Sequence, residues 1–421
     1  MPIVRPFRAL RYGHDLHPRL DRLVSPATAG EPTDRQTVGD VDPLNVRQAV
    51  RGRTGPLAEA GEAPYTHAAR LLQRWKEDGV LVRDARPAVY ALDQIDEHGS
   101  RRGMICLVRL ADLDSDEVRP HEAIREASTL ELHTQLAATK TQLSLVMAIV
   151  PDRQGVLADF LARRVGRPLL DVVDGAGTRC RLFSEEDPAL HLELHAALKD
   201  ECAVIADGHH RWAAALRHQE TLTTKATRES PSDYAMVLLV PVREEGLRCG
   251  PSHRVLTDPL TPVQSRELEL LLRPFDEVPL APDELDGFLA TEGGIRLVLA
   301  LPGRLRGLVL RDETALQDMP EALRGVDAAV ADALLLDWLA SAGDALSTQR
   351  SGSAVGHNRA SAAEVAGRTV AGELGLSILL RPVKPAQVLA AAEAGLCMPP
   401  KSTNFVPKPT KGLVMSSLVS F

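Results

Sequence analysis

Short apolar runs alternate along the chain with stretches whose apolar residues recur at helical spacing. Residues 203–206, Ala-Val-Ile-Ala, are too few for a helix and suit a short buried strand. Residues 104–110, 143–150, 168–173, 234–242, 295–301, 307–311 and 377–380 read the same way. Residues 65–78 place Ala68, Leu71, Leu72 and Trp75 on one helical face, with Gly79 as the stop. Helical spacing also runs from Ala123 toward Thr139 and over 156–164, 187–199, 211–218, 325–342 and 385–394. Strands alternating with helices predict an α/β fold of the α+β mixed kind, with mixed sheets flanked by helices. Residues 13–60 are rich in Pro, Gly, Asp and Thr and read as a long loop or lid. The expected division is a core over 1–260, a smaller α/β lobe over 261–345, and a segment over 346–421 that returns to the core.

The chemistry concentrates where the strand at 203–206 stops. Asp207-Gly208 is a turn signal and His209-His210-Arg211 opens the next helix. Unpaired backbone N–H groups and the positive end of the helix dipole meet there. Gly208 carries no Cβ, so a ligand can approach the backbone. A carboxylate, two imidazoles and a guanidinium at such a point make an anion cradle, with phosphate the expected guest. The plainer alternative is an ordinary Asp-Gly cap with polar residues at a helix start.

Other motifs carry less. Gly175-Ala176-Gly177 lacks the third glycine and the following helix of a dinucleotide fingerprint and reads as a hairpin turn. His191 and His195 stand four apart, but Leu192 follows the first where a zinc protease needs Glu, so a solvated face is expected. Residues 398–412 form a proline-pinned loop carrying Lys401, Ser402, Thr403, Lys408 and Lys411, followed by an apolar stretch that predicts its return to the core.

The 421 residues carry a net charge of −8, which disfavours nucleic acid as a partner. Five cysteines are widely spaced with no CxxC, which gives neither a disulfide framework nor a zinc pattern and fits a cytoplasmic protein. The N-terminus lacks an apolar signal core, and no apolar run reaches membrane-spanning length, so no membrane partner is expected.

Taken together, residues 5–12 (Arg-Pro-Phe-Arg-Ala-Leu-Arg-Tyr), Pro120-His121-Glu122, Ile205-Ala206-Asp207-Gly208-His209-His210-Arg211-Trp212, Pro251-Ser252-His253-Arg254-Val255 and the Met-Pro-Pro-Lys-Ser-Thr-x-Phe-x-Pro-Lys stretch at 398–408 resemble the domain-of-unknown-function family numbered 1015. Its Asp-Gly-His-x-Arg segment is in turn similar to the phosphate-binding motif of ParB/sulfiredoxin-like free-serine kinases. The resemblance implies a ParB/sulfiredoxin-like core and transfer of a phosphoryl group from ATP or ADP, with Mg2+, to the hydroxyl of free serine or a related hydroxy amino acid. On that reading Gly208, His210 and Arg211 hold phosphates with His253, Arg254, Lys401, Ser402 and Thr403. Asp207, His209, Glu122 and His121 are the catalytic candidates, and Asp207 and Glu122 are the metal candidates. Arg8 is the candidate partner for a substrate carboxylate, and a homodimer is compatible with the reading.

The chain departs from the family where Ala-Pro-Pro-Tyr-Asp is usual and 24–29 read Val-Ser-Pro-Ala-Thr-Ala. Asn-Pro-Tyr-Asn becomes Asp42-Pro-Leu-Asn45, Arg-Ala-Thr becomes Ala137-Ala-Thr139, and His-Asp becomes His357-Asn358. A changed acceptor or a weakened activity would both follow. Two alternatives stand beside the kinase: a ParB-type nucleotide-binding regulator without turnover, and a degenerate scaffold.

Overall fold

The computed structural model describes residues 3–26, 41–51, 64–163, 166–222, 229–337 and 355–419. The fold is mixed α/β. Two compact units divide the chain, one formed by 1–120, 124–247 and 407–421, the other by 121–123 and 248–406. These are not the three parts expected from sequence. Residues 253–256 pair with 376–380 and are drawn into the second unit, whereas 416–417 pair with 141–142 in the first.

The first unit is built on a nine-stranded sheet of β1 (Val4–Arg5), β2 (Val89–Asp96), β3 (Gly99–Arg109), β4 (Val118–Pro120), β5 (Val146–Val150), β6 (Leu170–Val173), β7 (Arg179–Glu185), β8 (Ala203–Asp207) and β9 (Tyr234–Pro241). Their order is β4-β8-β5-β9-β3-β2-β7-β6, with β1 on β3. Two neighbours, β8 with β4 and β9 with β5, run parallel and the remaining pairs antiparallel. Alternation sends Met104, Cys106 and Val108 of β3 and Ala235, Val237 and Leu239 of β9 to one face. Leu157, Phe160 and Leu161 of helix α1 (Val156–Arg163), Leu194 and Leu198 of α2 (Pro188–Leu198) and Trp212 and Ala215 of α3 (His209–Thr221) complete that core. The opposite face carries the buried polar residues Gln94, Arg101 and Cys180, brought side by side by the register of β2, β3 and β7.

The second unit holds a six-stranded antiparallel sheet. Its order is Phe275–Pro279, Arg304–Leu310, Arg296–Leu301, Leu376–Leu380, His253–Leu256, Gly356–Asn358. Leu285 and the helix Ala362–Val370, through Val365 and Ala366, pack on Val255, Val298 and Ala300.

Several elements differ from expectation. The helix read from Ala123 begins at Glu126, because the chain bends at His121 and Glu122 bridges Met398. The long helix expected at 325–342 is instead a short helix, Asp327–Ala331, running into a π turn over Asp332–Leu336, and 338–342 lie outside the described residues. Of the predicted lid, 27–40 and 52–60 lie outside the described residues. The described part is ordered helical structure over His14–Arg19, Leu20–Leu23 and Arg47–Arg51, with Leu20, Leu23 and Val46 buried. The Gly175 turn is the hairpin predicted, closing β6 on β7.

Gly375 follows the helix of the second unit at a point where a Cβ would lie 1.9 Å from the Asp258 carbonyl oxygen. Gly375→Ala therefore forces main chain apart and is expected to cost about 1–3 kcal/mol, read as a lowered denaturant midpoint for the second unit.

Candidate functional site

The end of β8 is bent by a β-bulge. Ile205 pairs with Ala148 and Asp207 with Met147, so the register slips by one residue and re-aims the Asp207 side chain. Gly208 follows at φ 91°, the left-handed region that glycine enters without strain, and caps α3. The helix begins at His209, two residues earlier than the apolar pattern suggests.

Asp207 sits between two cations. Its Oδ1 accepts from the Lys408 ammonium at 2.7 Å, and its Oδ2 accepts from the Arg211 guanidinium one helical turn ahead. The guanidinium lies over Gly208, where a Cβ would stand 2.7 Å from Nε of Arg211. Burial by itself raises the Asp207 carboxyl, but the Lys408 and Arg211 charges outweigh it and hold the group well below the usual carboxylate range. One negative and two positive side chains leave a net positive charge beside the unpaired N–H groups of the helix start.

Lys408 is delivered by a strap, Pro407 to Lys411, fixed at several points on the polar face of the sheet. The Lys408 carbonyl accepts from Gln94 Nε2 at 3.0 Å, and Gln94 is itself gripped by Arg101. Thr410 Oγ1 donates to Asp174 Oδ2 at 2.7 Å and lies 3.3 Å from the Cys180 sulfur. The Lys411 and Ser25 main chains exchange two hydrogen bonds. Burial pushes the Cys180 thiol up to about 12, so it stays protonated beneath the strap.

The second unit gathers a separate polar cluster. The His121 ring nitrogen Nε2 is 2.8 Å from Thr403 Oγ1, and both residues are buried. Glu122 Oε1 accepts the Lys401 amide N–H at 3.2 Å. Ser252 donates to the Lys401 carbonyl, and Lys401 is held at φ 59°. Arg254, 1% exposed, makes a two-pronged pair with Asp332 at 2.8 Å on each arm and reaches the Lys401 carbonyl at 3.3 Å and Ser402 Oγ at 3.4 Å. His253 is fully buried and accepts the Leu380 N–H on Nδ1. Burial, opposed by a backbone hydrogen bond at Ala360 and helped by the Arg254 charge, pushes it down to about 4.

Over residues 4–328 the sequence matches the family described as a protein of unknown function, DUF1015. The chain belongs to this family. No curated protein matches it. Among solved structures it is similar to a conserved hypothetical protein from Pyrococcus furiosus, at 11% identity over 72% of this chain and 93% of that one, TM-score 0.35. It is similar also to a free serine kinase in complex with AMP, at 12% identity over 71% and 88%, TM-score 0.37. A third is SbnI with a C-terminal truncation from Staphylococcus aureus, at 12% identity over 72% and 82%, TM-score 0.35. Likeness this remote says nothing of the chemistry.

In this family member the sequence candidates divide between the units. Asp207, Gly208, His209, His210 and Arg211 lie together at the head of α3, with Lys408, which the sequence reading left out of the site, as their partner. His210 is already in use, its Nε2 accepting the Arg125 N–H at 3.0 Å. Arg8 donates through Nε to the Asp84 carbonyl at 2.7 Å, in a cluster where Asp84 also accepts from Arg11 and Tyr90. Arg254 was expected to meet phosphate, but its donors are spent on Asp332 and the 399–404 loop, so it is a buried structural clamp. His253 is likewise neutral and interior rather than a phosphate ligand.

The residues do not fit a built magnesium site. Both Asp207 oxygens face cations, Glu122 serves a backbone N–H, and no group of three or more His, Cys, Asp or Glu gathers among the described residues. His191 Nε2 lies 2.8 Å from the Glu185 carbonyl, which gives it a structural partner. Among the described residues no helix is long and apolar enough to cross a membrane.

Two outcomes follow. Gly208→Ala adds left-handed strain and displaces Arg211, so sulfate affinity measured by calorimetry should fall about tenfold while the far-UV spectrum is unchanged. For His253 the folded pKa lies below the unfolded one, so the unfolded chain takes the proton first. Stability of the second unit should be full above about pH 6.5 and decline by up to about 3 kcal/mol as the pH falls to about 4. Urea melts across that range, flattened in His253→Gln, check it.

Proposed function

We propose that the protein is a small-molecule phosphotransferase that seats the phosphates of ATP or ADP at the head of α3 and passes one to the hydroxyl of serine or a related amino acid. The observation that carries this is the Asp207 carboxylate locked between Lys408 and Arg211 beside Gly208. Phosphoryl transfer asks little covalent chemistry of a protein and much positioned positive charge. The two cations and the helix N–H groups would hold the transferring and leaving phosphates. Asp207 would act as a positioning residue, because a carboxylate held so strongly ionised is a weak base.

In the step itself the acceptor oxygen bonds to the terminal phosphorus as the bond to the departing nucleotide oxygen breaks. The hydroxyl proton passes to solvent or to an oxygen of the transferred phosphate. Nucleotide and acceptor are drawn from the likeness of Asp-Gly-His-His-Arg to the kinase motif. No step is assigned to magnesium. The engagement of both Asp207 oxygens favours one other reading, a nucleotide-binding regulator without turnover.

The test is phosphorus NMR of the protein with ATP or ADP, with and without magnesium, and a panel of hydroxy amino acids. A new phosphomonoester resonance is expected, with turnover down about a hundredfold or more in Lys408→Met and Arg211→Met. Tight nucleotide binding with no product would instead establish the regulator, and undiminished turnover in both variants would remove the seat from the chemistry.

A further inference from the structure

Helix α3, which presents the seat, packs against the helix Glu126–Thr139, and histidines stand at the contact. Near the head of α3 the N–H of Arg125, the residue before the facing helix, donates to Nε2 of His210 at 3.0 Å. That bond needs a lone pair on Nε2, which a protonated ring lacks. Toward the other end His218, 8% exposed, meets His133 with ring centroids 5.9 Å apart. Nδ1 of His218 and Nε2 of His133 are buried and have no hydrogen-bond partner among the described residues. Between these contacts Arg217 pairs with Glu126 on the surface.

We propose that this helix pair is an acid-sensitive latch on the anion seat: proton uptake at His218, packed against the His133 ring, and at His210, which accepts the Arg125 N–H, separates the helices and loosens the start of α3. Among the described residues the groups facing His218 supply no counter-charge. Lys140, at the end of the facing helix, is positive. Asp233, in the turn packed against α3, is committed to Gln219 Nε2 and to the Ser230 N–H. Glu131 on the facing helix is turned to the Tyr65 hydroxyl. Tyr234, at the start of the neighbouring strand, is covered by Arg5. Burial first, then His133 and Lys140, lower the His218 imidazole. With the folded pKa lowered, the stabilising contribution is complete above the ordinary imidazole range and lost as the pH falls through it.

The proposal concerns motion of the helices and stands whether or not the protein turns over nucleotide. The test is hydrogen exchange of the full chain at about pH 7.5 and about pH 5.5, corrected for the intrinsic pH dependence of exchange. Amides of 126–139 and 209–221 should lose about tenfold protection or more at the lower pH while β3 and β9 keep theirs. In the double variant His133→Leu, His218→Leu the loss should shrink markedly, leaving the part due to His210. Should that variant fail to fold, His133→Gln alone, which removes the ring facing His218, should also shrink it. Equal protection of both helices at the two pH values in the natural protein would overturn the proposal. So would an undiminished loss in a folded variant.

Discussion

A half-buried carboxylate with a cation on each oxygen is the constraint on which the first unit's chemistry depends. Asp207 fixes Arg211 from within its own helix and Lys408 from the strap, so neither cation is free to drift into solvent. Two like charges this close would repel each other; the carboxylate between them makes the arrangement stable and still leaves a surplus of positive charge. The bulge after Ile205 and the left-handed Gly208 are the backbone conditions for it, since without them the side chain would follow the alternation of β8 into the apolar core.

The second unit uses the same device for a different end. Arg254 and Asp332 bury an ion pair, and the remaining guanidinium donors go to the loop carrying Lys401 and Ser402. Asp332 opens a π turn, a local widening of the helix that costs hydrogen-bond geometry and is tolerated where a side chain must be placed. The left-handed Lys401 is similarly over-determined, pinned at its N–H by Glu122 and at its carbonyl by Ser252 and Arg254.

Much of this was legible before any coordinates. Residues 203–211 spell out strand, turn and helix start, because four small apolar residues, Asp-Gly and an Ala-rich run each have one natural conformation. Strand β2 was not legible: Val-Tyr-Ala-Leu-Asp-Gln-Ile-Asp breaks its apolar pattern with Asp93 and Gln94. Both are buried, and the partners that make this tolerable, Arg181 and Arg101, lie on neighbouring strands. Lys408 escaped for a related reason. Nothing local distinguishes it from Lys401 or Lys411, and its partner is 201 positions away. Arg254 and His253 misled the other way, since a polar pair at the mouth of an apolar run gives no sign of whether it faces inward.

That separation has a consequence for synthesis on the ribosome. The sheet, the bulge and α3 are all specified by residue 241, yet the second cation is translated only after the whole of 248–406 has been made. Until then Asp207 has Arg211 alone, and the polar face with Gln94, Asp174 and Cys180 awaits its cover. Closing so long a loop is slow in conformational terms. The nascent protein is therefore expected to fold much of its scaffold early and to complete the Lys408–Asp207–Arg211 arrangement as one of its last acts.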